Sequence, residues 1–78
     1  MLFRSETRAK VYRHTDRTTN AETLVALWQN DDGSWTGELF VNGLSITRLS
    51  ADFRTLVLES LKRHAVNERR SRAIAEAL

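Results

Sequence analysis

The chain has 78 residues, a formal net charge of +2, and neither cysteine nor proline. Disulfides and cysteine-ligated zinc or iron–sulfur centres are therefore excluded, and one small α+β domain over residues 1–78 is expected. Ten of the twelve cationic side chains are arginine, whose planar donor fork suits phosphates and base edges; an arginine-favouring codon bias accounts for the same count.

Residues 9–14 alternate loosely and predict a first strand. Arg8, Lys10, Tyr12 and His14 share one face of it, Ala9 and Val11 the other. A basic face with an aromatic ring between cations is a surface single-stranded nucleic acids use for stacking and phosphate contact. An ordinary solvated sheet face gives the same pattern. Residues 15–22 are polar and turn-rich and form a loop, and residues 23–29, rich in branched and aromatic side chains, form a second strand. Asn30-Asp31-Asp32-Gly33 is the strongest turn signal in the chain, because Gly and Asn/Asp tolerate positive φ. A third strand over 34–41 follows, then an Asn42-Gly43 turn and a short fourth strand over 44–47.

Side-chain alternation bears on the register of the central hairpin. Leu24, Ala26 and Trp28 lie on one face of strand two; Trp35, Gly37, Leu39 and Val41 lie on one face of strand three. An even loop puts both sets on the same side, and both tryptophans in the core. The alternative use of Trp28 and Trp35 is as stacking platforms for bases.

From Leu44 to the end no glycine or proline interrupts the chain. Ser50 is a good N-cap with Asp52 in the first turn. Phe53, Leu56, Val57, Ser60, Leu61, His64 and Ala65 trace one helical face, with His64 read as a core-edge histidine beside Leu61. The stripe weakens over 67–70 and resumes at Ile74. One long helix from Ala51 almost to the end is expected, over the alternative of two helices meeting near Asn67. Arg69, Arg70 and Arg72 form a second basic cluster. They suit phosphate contact, or simple complementation of the helix dipole. The expected architecture is a four-stranded antiparallel meander packed against a long C-terminal helix.

His14, Asp16 and His64 do not have metal-ligand spacing, and no nucleophile or phosphate-loop motif occurs, so no metal, cofactor or enzymatic activity is expected. No apolar run suits a signal peptide or a membrane span, so a cytoplasmic protein with no membrane partner is the expectation. The small core and absent staples favour a homodimer that uses the apolar side of the C-terminal helix.

Two families are similar to parts of the chain. Residues 24–61 resemble the single-strand-binding transcriptional coactivators of the positive cofactor four type. The resemblance is carried by Trp28 ending a strand, the Asp32-Gly33 turn, the Gly43-Leu44 step, and Phe53-Arg54-Thr55-Leu56 opening a helix. It implies a curved four-stranded sheet with one helix, dimerising through that helix, with nucleic acid on the strand surface. Residues 44–78 are also similar to ribbon-helix-helix repressors, through Leu44-Ser45-Ile46-Thr47-Arg48-Leu49-Ser50 as ribbon and N-cap. In that reading an N-terminal hairpin precedes the motif, and Ser45 and Thr47 enter the DNA major groove. The expected function is a nucleic-acid-binding module with a role in transcription regulation. It contacts single strands in preference to duplex through Arg8, Lys10, Tyr12, His14, Arg69, Arg70 and Arg72. The rival is a protein-interaction module, adaptor or antitoxin-like, without nucleic acid.

Overall fold

The computed structural model describes residues 9–78. Four strands, β1 (Lys10–Thr15), β2 (Glu22–Gln29), β3 (Trp35–Val41) and β4 (Leu44–Ala51), form one antiparallel sheet in sequential order. A helix, α1 (Arg54–Asn67), and a 3₁₀ segment (Arg69–Ala77) follow. This is the α+β meander that the alternation and turn signals call for. β4 is its fourth strand, hydrogen-bonded to β3 along its length, and not a separate ribbon after a hairpin. Among the described residues no helix is long and apolar enough to cross a membrane.

Each turn is made by side chains that tolerate or enforce it. Asp16 Oδ1 accepts the Thr18 and Thr19 amides at 2.7 and 3.2 Å, and Asn20 closes the loop at φ +63°. Asn42 and Gly43 both have positive φ, as a two-residue hairpin turn that matches strand twist requires. Asn42 also accepts the Glu22 amide on Oδ1 at 2.9 Å, fastening the β3–β4 turn to β2.

The central hairpin corrects the expected register. Asn30 N–H donates to Ser34 O at 2.7 Å, and Gly33, at φ +92°, donates to Asn30 O at 3.0 Å. The loop is thus three residues, Asp31-Asp32-Gly33, a turn closed by a left-handed glycine. Gln29 pairs with Trp35, and Trp28 with Thr36. The two tryptophans therefore point to opposite faces, Trp35 inward and Trp28 outward. The Asp32 carboxylate fixes the loop by accepting the Ser34 hydroxyl and amide at 2.6 and 2.9 Å, and these contacts hold its pKa below the ordinary value.

The inner face of the sheet carries the core. Val25, Leu27 and Leu39 pack with Val57, Leu58, Leu61 and Ala65 of α1 and with Ile74 and Ala75 of the 3₁₀ segment. Gly37 sits under the helix. A Cβ there would lie 2.5 Å from Leu61 Cδ1 and 2.7 Å from Val57 Cγ1, so the absent side chain sets how closely α1 approaches. α1 lies over β3 and β4, and the 3₁₀ segment returns over β1 and β2.

The C-terminal half differs from the expected single helix in three ways. Ser50 and Ala51 belong to β4, opposite Thr36 and Trp35, and the helix starts at Arg54 with no side-chain cap. It ends at Asn67 because Glu68 is extended, at φ −100° and ψ 115°, and its carboxylate accepts the Arg70 amide to start the 3₁₀ segment. Buried Ser71 lies 3.0 Å from Ala65 O and 3.2 Å from Glu68 O, satisfying carbonyls the broken helix leaves open. The two-helix alternative, meeting near Asn67, describes the break better. The buried stripe is also rotated: Val57, Leu58, Leu61 and Ala65 are inside, while Phe53, Leu56 and His64 are exposed. His64 is therefore not a core-edge residue.

Candidate functional site

Among the described residues no helix or segment covers the outer face of the sheet. The registers place its side chains in rows across the strands. One row is Arg13, Leu24, Phe40 and Ser45; the next is Val11, Ala26, Glu38 and Arg48; a third is Trp28, Thr36 and Ser50. Leu24, Ala26, Trp28 and Phe40 are half-buried by neighbours on the same surface, and Arg13 and Arg48 are exposed. Val11 keeps 47% of its surface in water, and the apolar side chains of this face are interspersed with Arg13, Arg48, Glu22 and Glu38. A depression of about 200 Å³ between Glu22, Leu24, Phe40 and Gly43 lies at one end.

Trp28 is the aromatic group on this face that is held by a hydrogen bond. Its Nε1–H donates to Asn30 Oδ1 at 3.1 Å. The Asn30 amide in turn donates to Thr36 Oγ1 and Ser34 Oγ at 2.8 and 3.0 Å, and Thr36 Oγ1 lies 2.7 Å from Ser50 Oγ. A chain of hydroxyls thus holds the amide that holds the indole. The Arg48 guanidinium carbon lies 5.6 Å from the ring centroid, within cation–π range. On the neighbouring row, Glu38 accepts the Ser45 hydroxyl at 2.7 Å.

The residues singled out on the first strand are placed differently. Arg8 lies outside the described residues. Lys10, Tyr12 and His14 do share one face, opposite Leu27, Val25 and Thr23. That face is the inner one: Tyr12 packs against the core, accepts from Arg54 at 3.5 Å, and has the Lys10 ammonium 5.6 Å from its ring. Alternation separates the two faces of this strand but does not say which is inward; its edge position in the sheet lets polar side chains lie beside the helical layer. The expected open basic face is therefore corrected to an inner margin. The outward residues of β1 are Val11, Arg13 and Thr15.

Arg69, Arg70 and Arg72 are exposed on the 3₁₀ segment. Thr23 Oγ1 donates to Arg70 O at 3.1 Å, and Thr23 is the pairing partner of His14. The two sequence-defined basic clusters thus meet on the helical side of β1 and β2. Arg70 Nε and Nη2 contact Glu68 Oε1 and Oε2, both at 3.2 Å, and Arg72 Nε donates to Val66 O at 3.3 Å. Both side chains close the helix break. Ser45 and Thr47 are split between faces, because a bulge between Leu39 and Phe40 pairs Ser45 with outward Phe40 and Thr47 with inward Leu39. The signal that sequence reasoning could have used for Trp28 is Asn30-Asp31-Asp32-Gly33 itself, which fits a three-residue loop with Gly at its left-handed position. Comparison of the chain with protein-family models, with curated proteins and with solved structures finds no match.

Proposed function

We propose that this chain is a small nucleic-acid-binding module that takes single-stranded DNA or RNA on the open face of its sheet. The observation that carries the reading is Trp28: its ring nitrogen is pinned to Asn30, and the Arg48 guanidinium lies over its ring. A fixed indole on a face that no other described element covers offers a plane on which a base stacks, with the Arg48 guanidinium displaced from the ring to follow the phosphate. Phe40 is a second aromatic side chain on the same face, and Arg13 a second cation. Glu22 and Glu38 on this face reduce its net charge, so stacking supplies more of the affinity than phosphate neutralisation. Stacking is sequence-tolerant because every base has a π face.

Fluorescence anisotropy with short labelled oligonucleotides, single- and double-stranded, tests the proposal. Trp28→Ala should weaken single-strand binding by about 1–3 kcal/mol, and Arg48→Gln should lower the salt slope by about one unit. Tyr12→Ala should leave affinity unchanged if the protein stays folded. Absence of binding to either form at low salt would remove the nucleic-acid reading. A protein-docking role is favoured by one other observation, the depression lined by Leu24 and Phe40. Capture of a protein partner that is insensitive to salt and lost on Phe40→Ser would support it instead.

A further inference from the structure

The outward side of α1 carries a pattern that no packing among the described residues uses. Val57, Leu58, Leu61 and Ala65 face the sheet. On the opposite side, at 3.6 residues per turn, Leu56, Glu59, Arg63 and Val66 line up at spacings of three, four and three. Leu56 and Val66 are 48% and 47% exposed, and Glu59 and Arg63 are exposed. Among the described residues the one ion pair is Arg70–Glu68, so neither Glu59 nor Arg63 pairs with another described residue.

This stripe is complementary to itself, and in one orientation only. Laid antiparallel about a two-fold axis near residue 61, two copies set Leu56 against Val66 and Glu59 against Arg63. Symmetry then gives two apolar layers outside two ion pairs. A parallel pairing would set Glu59 against Glu59 and Arg63 against Arg63, and like charges directly opposed are disfavoured. The three–four spacing is also the one that keeps a seam facing a partner helix. We propose that a second copy of this chain docks on the outer face of α1, the two helices antiparallel, in an isologous dimer. Phe53, the extended residue just before the helix, is a further exposed apolar side chain at 64%. The dimer leaves both open sheet faces uncovered, because α1 lies on the other side of the sheet. The inference is therefore independent of the nucleic-acid reading.

Sedimentation velocity over a range of protein concentrations, combined with charge swaps, tests it. The wild-type chain should show a monomer–dimer equilibrium in the micromolar range. E59R and R63E each place like charges together at both layers and should weaken self-association about tenfold or more. An equimolar mixture of the two variants should dimerise again. In the mixture each arginine at 59 meets a glutamate at 63, and each arginine at 63 meets a glutamate at 59. Mixing cannot repair an intrachain i,i+4 pair, so rescue by mixing separates the interface from a change in the helix itself. The positions are exposed, and circular dichroism should match the wild type. If a single swap unfolds, the double variant E59R/R63E should regain wild-type self-association. A wild-type chain that stays monomeric, variants that dimerise as the wild type does, or a mixture that stays monomeric would each overturn the proposal.

Discussion

β2 is apolar on both sides, and the two sides have opposite fates. Val25 and Leu27 face inward, at 0% and 1% exposure, beneath α1 and the 3₁₀ segment. Leu24, Ala26 and Trp28 face outward and are half-buried, with no described helical segment over them. Side-chain type does not separate them. The inner face is defined by what packs on it: Gly37 admits the helix, and Val57 and Leu61 fill the space above it. The outer face instead invests its order in a polar network at one end, from Ser50 through Thr36 and Asn30 to the Trp28 indole. A core needs only shape and apolar area; a side chain fixed in the open by hydrogen bonds is a different arrangement, and one suited to contact.

Three measurements break or sharpen this contrast. The largest effect is expected at Leu61, which is fully buried over Gly37. Leu61→Ala should cost about 2–5 kcal/mol in denaturant unfolding, through lost burial and the cavity left behind. A loss under about 1 kcal/mol would mean that the helical layer does not close the core.

The tryptophan pair comes next. Trp35 packs against the core, whereas Trp28 lies outside it. Trp35→Ala should cost about 3 kcal/mol, and Trp28→Ala about 1 kcal/mol or less, the scale of cross-strand pairs on an open face. Equal losses would restore the even loop and put both rings in one core.

The smallest effect concerns the link between α1 and the 3₁₀ segment. The Arg70 side chain, and then its amide, hold the Glu68 carboxyl below its ordinary pKa. A carboxyl depressed in the folded state stabilises it above the unfolded-state pKa, and that contribution is lost as pH falls through the folded-state value. The wild type should therefore exceed Glu68→Gln in thermal midpoint near neutrality, and the difference should shrink toward zero in acid. A difference independent of pH would show that the carboxylate does not cap the segment.

Much of the sheet was legible because its turns are chemical. Asn42-Gly43 requires φ values that few other residues accept, and the Asp16 carboxylate organises its own loop. The register of the central hairpin was not legible from alternation. When Leu24 and Trp28 are as apolar as Val25 and Leu27, a shift of one residue costs nothing in the pattern. Ser50 looked like a helix cap because serine is a good one, yet its hydroxyl is spent on Thr36 across the sheet. The helix break at Glu68 has no glycine or proline to announce it. It depends on Ser71, three residues later, entering the core to reach the Ala65 carbonyl. An aromatic and basic sheet surface was expected on β1, but there Lys10, Tyr12 and His14 lie on the side of the helical layer, and Trp28 and Arg48 lie on the other face.

The sequential strand order also shapes how the chain reaches this state. Every strand pairs with its neighbour in sequence, across turns as short as two residues, so the loops to be closed are small. Such pairings are local and form early relative to long-range ones. The helical layer is different: Thr23 meets Arg70 across 47 residues. The sheet can therefore assemble while its inner face is still bare, with β2 apolar on both sides at once. In that interval Leu24 and Trp28 are as sticky as Val25 and Leu27, and β1 and β4 present unpaired edges. Docking of α1 over Gly37 then removes the inner apolar surface from contact with other chains as well as completing a core.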